Sequence, residues 1–215
     1  MESIAIHLRL TDATIIESEE VVPGVILDFD ESGHPAAIEL FGNLLALFCS
    51  IRCPGAVILQ AFELAIALRD TGISTIGGFQ TPMEREMLAV LLRGKQRVVI
   101  IDARGERKRL PGTWQAGIAE KRLVVVSPFT GIKRPTIETA RERNRLVVSA
   151  AKSLLVVYAS PDGETERLAL DALRTEKPVF ALAVGDANER LFEAGATPLS
   201  PPWPDAVLSL GFDAP

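Results

Sequence analysis

The sequence is poor in cysteine, histidine and aromatic residues, and it has no excess of positive charge. Two cysteines, Cys49 and Cys53, are too few for a disulfide framework, and with only His7 and His34 beside them no four-ligand zinc spacing can be assembled. No metal ligand and no cofactor are therefore expected, and Cys49, inside an apolar run, reads as a buried thiol. Aromatic residues make up 6% of the chain, so material for stacking nucleobases is scarce, with Phe79 and Phe129 as the candidates. The formal net charge is -5 and the pI about 5.2, which excludes a molecule that attracts polyanions over its whole surface. Nucleic-acid contact must come from a local basic patch. No apolar run reaches the roughly 18 residues of a membrane span, and the opening "MESIAIHLRL" has no basic stretch leading into an apolar one. The expectation is a cytoplasmic protein with no membrane partner.

What the chain does have is apolar residues in short blocks. Its 215 residues are 47% hydrophobic with a mean hydropathy of +0.22, enough for one full core and a small added unit. Residues 1–42 read as a small antiparallel β-meander: "IAIHLRL", "TIIESEEV", "GVILDFD" and "AAIEL" alternate in part, and "ESGH" between the last two is a glycine-bearing hairpin loop. The stretch "PGVILDFDESGHPAAIEL" resembles a small β-domain family without a settled activity. The acidic residues Asp28, Asp30 and Glu31 read as solvated charges at a strand end rather than as a cation site.

Over residues 43–200 the rhythm becomes strand then helix. "LLALFCS", "ISTIGG", "RVVIID", "RLVVVS", "SLLVVYAS" and "PVFALAV" are unbroken apolar runs, as strands covered on both faces must be. Between them lie helical segments at Val57 to Arg69, Pro82 to Leu92, Thr113 to Glu120, Ile137 to Ala151 and Glu164 to Leu173. The alternation predicts an α/β fold, a doubly wound, Rossmann-like, mostly parallel sheet behind the meander. Residues 201–215 are a proline-rich C-terminal extension, expected to pack irregularly or to contact another subunit.

Ligands of such sheets bind beyond the carboxyl ends of the strands. Arg52 follows the first strand, and Gly77 and Gly78 follow the second, where they permit close backbone approach to a phosphate. Thr81, Pro82 and Glu84 form a capping box, which accounts for them without a ligand. On the helix from Ile137 to Ala151, an apolar stripe of Ile137, Ala140, Val147, Val148 and Ala151 includes Asn144, whose amide must find a partner, expected in the backbone of a neighbouring turn. Arg141 and Arg145 flank it and are expected to face the same mouth as Arg52, with Lys133 and Arg134 extending a basic stripe. The turn "SPDGETE" brings Gly163 and Thr165 to another helix start suited to phosphate.

The stretch "RERNRLVVSAAKSLLVVYASPDGETERLALDALRTEKPVFAL" resembles the DprA/Smf DNA-processing family, in which an Arg-Asn-Arg helix precedes a valine-rich strand and a Gly/Thr turn. The earlier turns agree in order: "SIR" stands where that family has Gly-Ser-Arg, "GGFQTPME" where it has Ser-Gly-x-Ala-x-Gly-Ile-Asp, and "SPF" where it has a Ser-Glu turn. The resemblance covers Leu44 to Thr197 and implies a pocket for single-stranded DNA or a nucleotide, with Arg52, Gly78, Asn144 and Arg145 at matched positions and Ser50 beside them. It also implies a homodimer and a RecA-type recombinase partner. Ser50 replaces the first-turn glycine, Thr81 and Pro82 replace a basic residue and a glycine, and no winged-helix segment follows within these residues.

The reading is a non-catalytic nucleotide- or phosphate-binding protein of the DprA type, acting on single-stranded DNA in DNA processing or recombination. One alternative is a small-nucleotide sensor using the same pocket. Another is a nucleoside-monophosphate phosphoribohydrolase of the "lonely guy" kind, whose Pro-Gly-Gly-x-Gly-Thr-x-x-Glu turn is matched only at Gly163 and Thr165.

Overall fold

The structure is a computed structural model that describes residues 6–9, 11–22, 25–33, 35–40, 43–105, 107 and 109–212. Four strands open the chain: β1 (Ile6–Arg9), β2 (Glu17–Val22), β3 (Val25–Phe29) and β4 (Pro35–Leu40). They form an antiparallel sheet in the order β1-β4-β3-β2, so β2, β3 and β4 make the meander and β1 crosses over to pair with β4. At the β3–β4 turn Gly33 takes a φ of 74°, which its lack of a Cβ allows, and its amide donates to the Asp30 carbonyl at 2.9 Å. His34, placed by the sequence in this loop, lies outside the described residues.

The second sheet has seven strands: β5 (Leu44–Cys49), β6 (Ser74–Gly77), β7 (Val98–Ile101), β8 (Leu123–Val126), β9 (Ser153–Tyr158), β10 (Val179–Leu182) and β11 (Thr197–Leu199). Their order is β11-β10-β9-β5-β6-β7-β8, and every neighbouring pair is parallel. The chain winds outward from β5 to β8, returns to β9 on the other side of β5, and winds outward again. The reversal between β5 and β9 is the topological switch point.

The helices are α1 (Gly55–Leu68), α2 (Pro82–Leu91), α3 (Gln115–Ala119) after a 3-10 turn at Gly112–Trp114, α4 (Ile137–Ala150), α5 (Glu164–Arg174), α6 (Glu189–Glu193) and α7 (Trp203–Leu208). Strand alternation sends Leu45, Leu47 and Cys49 into one core with Leu64, Met87 and Trp203, and sends Leu44, Ala46 and Phe48 into the other with Val147 and Ala169. That two-sided burial is why the β5 run carries no polar residue. Val25 and Ile38 of the small sheet join the second of these cores.

The C-terminal segment is more ordered than its prolines predict. Residues Thr197–Leu199 add the edge strand β11, and α7 packs on α1, where the Trp203 indole is buried and donates to Glu63 Oε2 at 3.0 Å. Burial of one large indole supplies a local anchor that turn-residue counting does not register.

Candidate anion-binding site

At the switch point the exit loops are stitched together. Ser50 is buried, its amide donates to the Tyr158 carbonyl at 2.8 Å, and its hydroxyl accepts from the Ser160 amide at 2.9 Å. Beside it, Glu84 of α2 reaches back to accept from the amides of Cys49 at 2.9 Å, Gln80 at 2.9 Å and Thr81 at 3.1 Å. The Thr81 hydroxyl completes the capping box by accepting from the Glu84 amide at 3.3 Å. Burial pushes the Glu84 carboxyl above its ordinary value, while the backbone donors and Arg143 oppose that push. The first turn of α5 repeats the device: buried Glu166 accepts from the Asp162 amide at 2.8 Å and faces Arg190 Nη1 at 3.1 Å. At both helix starts a carboxylate of the chain occupies the position an anionic ligand would take.

Behind Glu84 stands Arg143 of α4, which is 5% exposed. Its guanidinium lies on the backbone of Gly78, where a Cβ would fall 1.5 Å from Nη1. Gly78 therefore serves the approach of an arginine. Arg143 Nη1 donates to the Ile101 carbonyl at 3.4 Å and Nε to Asn144 Oδ1 at 2.8 Å. Desolvation pulls the guanidinium's pKa down, and the fields of Glu84 and Asp102 hold it up. Asn144 thus finds its partner in the preceding side chain rather than in a neighbouring turn. The buried face of α4 carries Arg143, Val147 and Ala150, while Ile137 is 67% exposed, so the helix is turned by about one residue, roughly 100°, from the stripe the sequence suggested.

Asp102, at the end of β7, is fully buried. It accepts from Arg107 Nε and lies 3.6 Å from Arg104 Nε and 3.5 Å from Gln80 Nε2. Above it a cavity of about 740 Å³ opens at the carboxyl ends of β6 and β7. Arg85, Arg93, Arg104 and Arg107 line it with Trp114, and no carboxylate is among the described lining residues. The Arg107 guanidinium stacks over the Trp114 ring, 5.5 Å from its centroid. Four arginines line this mouth, two of them beside the buried Asp102, and together they make it attractive to phosphate oxygens, with the Arg107–Trp114 stack as an adjacent flat surface.

The residues expected at the site are spread over three places. Gly78 lines the arginine cavity, whereas Gly77 at the end of β6 does not and lies close to the Leu47 carbonyl and the Phe79 ring. Ser50 lies at the switch point next to the loop that ends in Gly163, the N-cap of α5, and Thr165 sits in that helix's first turn. Arg52 is exposed between β5 and α1, and Lys133 and Arg134 are exposed ahead of α4. Arg141 and Arg145 line a groove of about 640 Å³ between α4 and α5 with Arg167 and Lys177, and Arg141 Nε pairs with Glu164 Oε2 at 3.2 Å. Arg52, Arg141 and Arg145 do not line the arginine cavity. Arg104, Arg107, Arg143 and Trp114 escaped the sequence reading, although the basic density of "ARGERKRLPGTW" after a strand was a usable signal for three of them.

Residues 5–42 match a family described as "Protein of unknown function (DUF2283)". No curated protein matches the chain. Among solved structures, DNA processing protein A (DprA) from Streptococcus pneumoniae aligns with a TM-score of 0.64 at 15% identity, covering 78% of this chain and 61% of that one. DprA from Helicobacter pylori, described as having a unique single-stranded DNA binding mode, aligns with a TM-score of 0.63 at 15% identity, covering 94% of this chain and 97% of that one. The chain has the DprA fold. The molybdenum cofactor binding protein from Rippkaea orientalis also aligns, with a TM-score of 0.55 at 15% identity over 78% of this chain and 94% of that one. The DprA fold thus extends to a protein named for another ligand, and the ligand must be argued from this chain's own cavity.

Proposed function

We propose that the protein binds single-stranded nucleic acid without catalysis, seating a nucleotide phosphate and its base in the arginine cavity between the exits of β6 and β7. The observation that carries this reading is the cavity of about 740 Å³ with four arginines, one indole and no described carboxylate in its lining. Its size suits one nucleotide unit. The DNA binding described for the Helicobacter pylori protein of the same fold supports the choice of ligand. The groove holding Arg141, Arg145, Arg167 and Lys177 also carries Glu164 and Asp171, with Glu164 paired to Arg141 and Arg167, and its remaining positive charge offers a weaker second track along which a backbone could continue. A homodimer and a RecA-type partner belong to the same proposal.

The test is anisotropy of a labelled oligonucleotide at low and moderate salt. Binding should weaken with salt, and Arg104→Ala with Arg107→Ala should lower affinity by at least tenfold, with Trp114 fluorescence quenched in the intact protein. No binding at low salt overturns the reading. The size of the cavity, about that of one nucleotide, also favours a second reading, a sensor of one small nucleotide. Thermal stabilisation by a mononucleotide with no oligonucleotide binding selects it, since a ligand at about 100 times its dissociation constant adds about 2.7 kcal/mol.

A further inference from the structure

The outer face of the small sheet carries a group that the nucleotide site does not use. His7 on β1 stands directly opposite Glu39 on β4, and Asp28 on β3 pairs with Ala37, one diagonal step from Glu39. Alternation along the strands puts all three on the face opposite Val25 and Ile38, which enter the core. One donor atom from each of His7, Asp28 and Glu39 lies within 4.8 Å of the other two. His7 Nε2 is 3.5 Å from Asp28 Oδ2.

The charges here do not balance. One imidazole beside two carboxylates leaves net negative charge in either protonation state, and Asp28 is only 4% exposed, where water compensates it poorly. Arg9, on the same face of β1, turns its guanidinium away to the carbonyl oxygens of Thr11 and Ala13. The Ser18 hydroxyl donates to Asp28 Oδ1 at 2.6 Å, fixing that carboxylate so that Oδ2 is left facing His7. This is how an outer partner orients a metal-binding carboxylate. Bonds of about 2.1 Å place tetrahedral donors roughly 3.4 Å apart. The exposed His7 side chain and the half-buried Glu39 side chain can close to that separation by rotating about their own torsions.

We propose that His7, Asp28 and Glu39 bind a divalent first-row transition metal ion, with solvent completing its coordination. An imidazole nitrogen among the donors selects Zn²⁺ and its neighbours over Mg²⁺ and Ca²⁺, which prefer oxygen alone. All three ligands fall within residues 5–42, the segment that matches the β-domain family, so the site belongs to that unit and is independent of the nucleotide cavity.

The experiment is calorimetric titration of the chelator-stripped full chain with Zn²⁺, in a Cys49→Ser, Cys53→Ser background that removes thiolate binding. One equivalent should bind, Mg²⁺ should give no heat, and His7→Gln or Glu39→Gln should weaken Zn²⁺ affinity by about tenfold or more. Circular dichroism of both variants without metal should match the parent, which separates a lost ligand from a lost fold. Absence of Zn²⁺ binding, or binding unchanged in His7→Gln and Glu39→Gln, overturns the site. Uptake that disappears only on removing the cysteines assigns the metal to the thiols and overturns it equally.

Discussion

Gly78 and Arg143 are a pair at the residue scale, because the glycine's missing side chain is the space the guanidinium fills. Gly78→Ala forces a methyl into that space and should cost about 1–3 kcal/mol, read as a lower urea midpoint with an unchanged slope. Arg143→Ala should cost more, about 3–5 kcal/mol, because it leaves the fully buried Glu84 carboxyl without the cation that faces it, while Asp102 keeps Arg104 and Arg107. If both variants unfold with the parent, the buried ionic cluster contributes nothing to stability. None of this was legible along the chain. Gly78 was visible as a special position, but its partner comes from a helix 65 residues later, and Arg143 and Asn144 differ by one helical step in which face they present.

Among elements, α1 is the one whose outer face stays unexplained by its own fold. Its inner residues Val57, Ala61, Leu64, Ala65 and Leu68 are buried, yet Ile58, Leu59, Phe62 and Ile66 remain 45%, 60%, 39% and 43% exposed. Four large apolar side chains on one helix side form a patch that soluble monomers seldom leave uncovered. We expect this face to form the proposed homodimer, and Leu59→Arg with Phe62→Arg should shift the species seen by light scattering from dimer to monomer without a change in helix content. A parent that is already monomeric at high concentration contradicts it. The elements themselves were readable in advance, since continuous apolar runs of strand length mark strands covered on both faces and each interval between them matched a helix, although the run at Leu123–Val126 proves to be the edge strand β8. The place of β1 was not, because pairing with β4 rather than β2 depends on contacts that alternation does not encode.

For the whole molecule, the overall charge of -5 hides opposing local fields. Oligonucleotide affinity should fall with added salt, and the Arg104→Ala, Arg107→Ala pair should reduce the logarithmic slope by about 1.4 for a single strand, from 0.7 per lost phosphate contact. A slope unchanged by the pair moves the contact to the α4/α5 groove. The fold was legible from sequence at this scale. The site was legible only as a zone, the carboxyl edge of the sheet, because the carboxylates that fill the turns at Glu84 and Glu166 displace the open mouth by one strand.

Val25 and Ile38 sit in one apolar cluster with Val147, Ala150 and Leu154, so the opening sheet and the parallel sheet share a wall. Heat should therefore melt the chain as a single cooperative unit, with one calorimetric peak whose van't Hoff and measured enthalpies agree. Expressed alone, residues 43–215 would carry a bare apolar flank where Val25 and Ile38 now pack, and they should clump where the 215-residue chain stays dispersed.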